Sequence, residues 1–246
     1  MTAVGALRFG RYAFPPNRLG YCGPTDHEAL LGYVASRTVD QGLVELERRF
    51  EGAYPYLVLI ARANGITDPF DERVVEAYWI GNQYLESVDG LPFSRSLGER
   101  FQPRMRGTDF GWLTTKLELG ARPHHNFHVF EVYTRAGLMR NEAAAIALET
   151  MDSCRISWGT VTAVVGDELL VERPELVLHE GKLALSEARQ KRVTRQLSSQ
   201  GFVDGVGPGE QVSIHWDWAC ERLSPGALRQ LQAATGRYLE LANRTI

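Results

Sequence analysis

The residues with the clearest capacity for chemistry are Cys154 and His215. Cys154 sits in Met151-Asp152-Ser153-Cys154-Arg155-Ile156-Ser157-Trp158-Gly159-Thr160-Val161, where helical periodicity gives way to β-branched runs. His215 sits in Val212-Ser213-Ile214-His215-Trp216-Asp217-Trp218-Ala219. A thiolate is a soft metal ligand, and neutral imidazole suits first-row transition metals as well. One Cys and one His hold an ion loosely, which suits transfer more than storage. The pair is expected to meet at the mouth of one small barrel, where first and last strands close together. The thiol, between a helix and the first strand, is expected at that mouth rather than in the core. Asp217, two residues past His215, is expected on the same strand face.

A second set of donors lies in Ala121-Arg122-Pro123-His124-His125-Asn126-Phe127-His128-Val129-Phe130-Glu131. His124 and His128 are four apart and would share a helix face, as helical metal ligands must, with Glu131 able to join them. Cys22 is a further candidate ligand, although a Cys beside aromatics also serves as a small packed hydrophobe. No nucleotide-binding loop, Ser-His-Asp arrangement or zinc-finger pattern is present.

The elements that must position these groups divide the chain into a helical domain, 1–150, and a β-rich domain, 151–246. In the first, Pro15-Pro16 is expected to stop a helix begun at Ala6. Thr25 or Asp26 caps a helix from His27. Leu43, Leu46, Phe50 and Tyr54 recur at helical spacing, and Pro55 restarts a helix through Tyr56 to Ala61. Asp68-Pro69 opens the next one. Residues 90–107 read as a loop carrying Arg95, Arg100, Arg104 and Arg106, a basic cluster able to meet an anionic ligand or an acidic partner. Trp112–Leu119 and Asn141–Leu148 read as helices. In the second half, Gly159–Val165 and Glu168–Glu172 form a hairpin at Gly166-Asp167. Leu176–Leu178 and Lys182–Leu185 form another at Glu180-Gly181, Lys191–Leu197 a further strand, and Gln211–Trp216 the last. Such short strands suit a small closed barrel. Ser224-Pro225 caps a final helix.

Composition narrows the function classes. A net charge of −3 leaves no footprint for nucleic acid or an acidic membrane surface. No apolar run reaches membrane-spanning length, and the apolar part of the first residues is too short for a signal peptide. Three cysteines without a CxxC pair predict reduced thiols in a cytoplasmic setting.

The second half resembles the small hydrogenase-assembly chaperones of the HypC/HupF type. Cys154-Arg155-Ile156-Ser157-Trp158-Gly159-Thr160-Val161 parallels their opening Cys-x-x-Ile-Pro-Gly-x-Val, with Ile156 one place early and Trp158 where Pro is usual. Gly209 to Ala219 parallels their closing Gly-Asp-x-Val-x-Val-His-x-Gly-Phe-Ala strand, with Asp217 in place of Gly. The resemblance implies an OB-like β-barrel with a C-terminal helix for residues 151–246, which with the helical first half makes an α+β chain, an all-helical amino-terminal domain followed by that barrel. It places Cys154 at the family's iron-ligating cysteine and His215 at its partner histidine. The family's cysteine follows the initiator methionine, whereas Cys154 is internal and has no free α-amino group beside it. The chain as a whole resembles an actinobacterial family found near nickel–iron hydrogenase genes. The expected function is therefore a non-enzymatic maturation protein, handling iron as a transient cyanide or carbonyl fragment. Its expected partner is a hydrogenase large subunit or another maturation factor, docked by the helical domain. The alternatives are a metal-dependent enzyme using His124, His128, Cys154 and His215 between the domains, and an interaction module whose barrel has lost its chemistry.

Overall fold

The computed structural model describes residues 3–136 and 144–245. Its organising element is α1 (Ala3–Arg18), which buries Ala6, Phe9, Tyr12, Ala13 and Phe14 and leaves few faces exposed. A helix buried on most of its faces belongs to the core even though it carries Arg8, which is paired with Glu76 and Glu221. Gly5 is required by close approach, since a Cβ there would lie 1.8 Å from the Phe70 carbonyl oxygen. Contrary to the sequence expectation, α1 runs through Pro15 and Pro16. Proline keeps a helical φ; what it removes is an N–H, leaving the carbonyl four residues back without its donor.

Around α1 pack α2 (His27–Ser36), α3 (Gln41–Arg48), α4 (Tyr54–Ala63) and α5 (Glu72–Trp79). Asp40 caps α3 by accepting the Leu43 N–H at 3.1 Å. Asp71 caps α5 in the same way through Arg73 N–H, so this helix opens at Glu72 rather than at Asp68-Pro69. The stretch expected to be a loop is mostly helix: α6 (Gly90–Phe101), a single tight turn (Gln102–Arg104) and α7 (Gly107–Glu118). Next come α8 (His125–Phe127), a π-helical turn (His128–Val132), α9 (Tyr133–Ala136) and α10 (Ala144–Cys154). Asn141–Ala143, expected in the last of these, lie outside the described residues. Among the described residues before Ser157 there is no strand.

The strands are β1 (Ser157–Val165), β2 (Glu168–His179), β3 (Lys182–Thr194), the small hairpin β4 (Gln196–Leu197) and β5 (Gln200–Gly201), β6 (Gln211–His215) and β7 (Trp218–Arg222). Five of them pair in the order β1-β2-β3-β7-β6, and β6 returns to β1, closing a barrel. The β3–β7 seam is parallel and rests on the single pair Thr194 and Trp218. Both expected hairpins form, at Gly166-Asp167 and at Glu180-Gly181, and they share one long middle strand. β2 carries both Glu168–Glu172 and Leu176–Leu178 across a register shift at Pro174, a residue with no N–H for the ladder. The closing strand is also shorter than expected. Trp216 and Asp217, at φ 49° and 56°, form a two-residue turn that sends the chain back as β7.

One apolar cluster runs from α1 through Met151, Cys154 and Ile156 to Trp218, Cys220 and the final helix α11 (Pro225–Asn243). The barrel interior keeps its own small cluster around Val161, Val171, Val212 and Ile214. Helices and barrel therefore meet through shared core, and α11 lies against both β3 and the segment from His125 to Val132. Ser224 caps α11 by accepting the Ala227 N–H at 3.1 Å. No described helix is long and apolar enough to cross a membrane.

Candidate metal centre

Three elements end at one point. His125 opens α8, Cys154 closes α10, and His215 closes β6. One ligand atom from each lies within 4.8 Å of the others, and all three residues are buried. The turn after β6 is stitched to the end of α10 by the Trp216 N–H, which donates to the Ser153 carbonyl at 2.8 Å. The same end of α10 is tied to β2 through Asp152, which accepts from Arg155 Nε at 3.0 Å, from the Leu176 N–H at 2.8 Å, and from Arg173.

Backbone carbonyls orient both imidazoles. His215 Nδ1 donates to the Tyr12 carbonyl at 2.6 Å, so Nε2 carries the lone pair. That Nε2 is buried and has no hydrogen-bond partner among the described residues. The Tyr12 carbonyl is available because the residue four positions on is Pro16, which has no N–H. His125 Nε2 donates to the Cys154 carbonyl at 2.8 Å, so Nδ1 accepts the Tyr78 hydroxyl at 3.2 Å, a hydrogen bond that a metal at Nδ1 would replace. Cys154 is the last residue of α10, so its carbonyl too lacks an intrahelical donor. Hydrogen bonds of this kind hold ligating histidines in one tautomer and one ring orientation.

Burial sets the protonation states. It lowers His125 to about 4 and His215 well below the usual histidine range, so both rings are neutral near pH 7. It pushes the Cys154 thiol up, with Cys22 adding to the rise and the Trp216 side chain opposing it. Cys154 therefore keeps its proton near pH 7, and a bound cation would have to displace it.

These side chains line a cavity of ≈ 30 Å³. Tyr21 and Trp216 in its wall stack with ring centroids 4.0 Å apart. The left-handed φ of 49° at Trp216 is unusual for a bulky side chain, and such strain gathers at functional sites. Outside lies an open groove of ≈ 1020 Å³, lined by Arg48, Arg49, Arg100 and Arg104 among others. Groove and cavity share one wall: Tyr21, Cys22, Gly52, His128 and Tyr133.

Cys154 and His215 are thus together, as expected, but Cys154 lies in the core rather than open at a barrel mouth, because the helices cover that end. The other expectations are corrected. His124 is not helical (φ −108°, ψ 153°) but caps α8, its Nδ1 accepting the Asn126 N–H at 3.0 Å, and it stands outside the three-residue group. His128 opens the π-helical turn, with Nδ1 3.1 Å from Tyr56 Oη, and so shares no helix face with His124. Glu131 is committed to ion pairs with Lys116 at 3.1 Å and Arg135 at 2.8 Å. Asp217 sits in the turn and pairs with Lys191 at 2.6 Å, away from the His215 strand face. Cys22 stands outside the three-residue group, on the shared wall, with its thiol raised by burial to about 12. Of the basic cluster, Arg100 and Arg104 line the groove, whereas Arg106 pairs with Asp109 at 2.8 Å.

His125 is the member of this group that four-residue spacing misses. Its signal is Pro123-His124-His125: a helix opening at 125 makes His124 the cap and turns the next ring inward.

The chain belongs to a family of unknown function, DUF6390, whose model matches residues 1–246 and so spans helices and barrel alike. No curated protein matches it, and no solved structure does.

Proposed function

We propose that this member of the DUF6390 family is an accessory protein in the assembly of a nickel–iron hydrogenase-type metal centre. It holds one iron ion between His125, Cys154 and His215 and passes it to a protein partner in a reducing cytoplasm. The carrying observation is the convergence of Cys154 and His215, distant in the chain, to within 4.8 Å at their ligand atoms. These are the positions that correspond to the ligand pair of the HypC/HupF-type chaperones. The strand order supports the same reading. A closed β1-β2-β3-β7-β6 sheet with β3 parallel to β7 is the arrangement of an OB-like barrel, with β4 and β5 an excursion in the β3-to-β6 connection.

Cys154 has no α-amino group beside it, and His125 from the helical half supplies a nitrogen in its place. Asp217 replaces the motif's Gly in a turn where φ is 56°, a conformation that Asp tolerates better than most residues. One thiolate and two neutral imidazoles suit iron and leave coordination positions for the ligands of an iron fragment.

A second reading, a metal-dependent enzyme with its site between helices and barrel, is favoured by the ≈ 1020 Å³ groove that ends at the cavity wall. Iron content after anaerobic loading tests the shared premise. The wild type should hold one iron per chain, Cys154→Ser essentially none, and Cys220→Ser the wild-type amount. No iron above background in the wild type would refute both readings. Iron transfer to, or co-purification with, a hydrogenase large subunit supports the accessory role; turnover of a small substrate without transfer supports the enzyme.

A further inference from the structure

We infer that Cys22 and His128 form a relay station through which a soft or borderline divalent ion crosses between the open groove and the buried centre. The inference rests on His125, Cys154 and His215 holding a metal.

Among the described residues the buried centre leaves little room for a hydrated ion. Its residues are 5%, 4% and 1% exposed, and the ≈ 30 Å³ around them is room for about one water molecule. The stacked Tyr21 and Trp216 rings form part of its wall. The groove beyond is over thirty times larger, and the two spaces touch only through their five common residues among those described. Two of the five carry metal-ligating atoms, the Cys22 thiol and the His128 imidazole. A third, Gly52, leaves room beside His128, because even an added Cβ would stand 3.5 Å from Nε2. His128 also opens the π-helical turn, a backbone irregularity that recurs at functional sites.

The Cys22 backbone is fixed although its loop is short of regular structure. Buried Asn17 donates to the Cys22 carbonyl at 2.8 Å and to the Pro24 carbonyl at 2.5 Å. The thiol is thereby held on the wall rather than swept through solvent.

An ion entering this wall sheds water, and an unpaired charge in such surroundings is costly. A thiolate and an imidazole at the crossing replace the lost waters. The Cys22 thiol gives its proton to groove water as the metal–sulfur bond forms. When the ion moves on, Cys22 regains a proton and Cys154 loses one. No electrons change hands.

The test uses the full-length metal-free protein under anaerobic conditions, with cobalt(II) followed by stopped-flow through its thiolate-to-metal absorption. Cys22→Ser should reach the wild-type end spectrum and stoichiometry. Both its loading and its chelator-driven release should be slowed about tenfold, equivalent to roughly 1.4 kcal/mol of added barrier. His128→Gln should slow both in the same direction. Unchanged rates in Cys22→Ser and His128→Gln would overturn the relay. So would an altered end spectrum or stoichiometry in Cys22→Ser, which would make Cys22 a resident ligand. Failure of the underlying site has a different pattern: no cobalt–thiolate absorption in the wild type, or absorption that survives Cys154→Ser, and either overturns the relay as well.

Discussion

Replacing Pro16 with Ala should strengthen the fold and weaken the metal site. Pro16 withholds the N–H that would otherwise bond the Tyr12 carbonyl, and His215 Nδ1 donates to that carbonyl at 2.6 Å instead. In Pro16→Ala the new N–H competes for the same oxygen. An interior helical proline costs up to about 3 kcal/mol relative to Ala, and less in a last turn, while one added backbone hydrogen bond contributes about 0.5–1.5 kcal/mol net. The metal-free protein should therefore gain about 1 kcal/mol or more toward urea. Losing the partner that orients a ligating histidine typically lowers metal affinity about 10–100-fold, roughly 1.4–2.7 kcal/mol in the opposite direction. Pro15→Ala is the control. It restores the same kind of hydrogen bond to the Arg11 carbonyl, which does not hold His215, so stability should rise and affinity stay put. Chelator-competition titrations with cobalt(II) or zinc, set beside urea unfolding of the metal-free variants, measure both quantities. The His215 Nδ1 proton, protected from exchange in the wild type, should exchange faster in Pro16→Ala. Equal affinities in Pro15→Ala and Pro16→Ala would refute the reasoning.

Glu47 offers a pH-dependent test. It is fully buried, its carboxyl meets no side-chain partner among the described residues, and burial raises its pKa well above the usual range against a small opposing contact with the Gly10 backbone. The folded form thus holds a proton that the unfolded chain releases above its ordinary value near 4.5, so stability should fall as pH rises from there toward the folded value. Glu47→Met should flatten that slope and add about 1–3 kcal/mol at pH 7 in urea unfolding. Glu131→Gln should cost about 3–5 kcal/mol, because it leaves the fully buried Lys116 ammonium without its charge partner; a loss under 1 kcal/mol would show that the pair is dispensable. Metal at about a hundred times its dissociation constant should stabilise the wild type by roughly 2.7 kcal/mol, a gain that a chelator removes and Cys154→Ser never shows.

Local signals carried much of the architecture. Period-3.6 apolar spacing marked the helices around Leu43, Leu46 and Tyr56, and Ser224-Pro225 marked the start of α11. The β-branched run after Ser157 marked the change to strands, and the seam at Cys154 follows from the change of period alone. These features depend on neighbours within a few residues, which is the range over which a sequence is read directly. The tertiary structure decided the rest. Pro15-Pro16 looks like a helix stop until β6 brings His215 to the carbonyl that Pro16 leaves unpaired. Trp216-Asp217 lacks the Asn-Gly or Asp-Gly signature of a two-residue hairpin turn, so only the pairing of β6 with β7, and the stacking of Trp216 on Tyr21, explain its left-handed backbone. His125 is chemically the same as His124 and His128. It alone of the three joins the centre because the end of α10 presents an unpaired carbonyl to its ring, and the partner of that hydrogen bond lies 29 residues further along the chain.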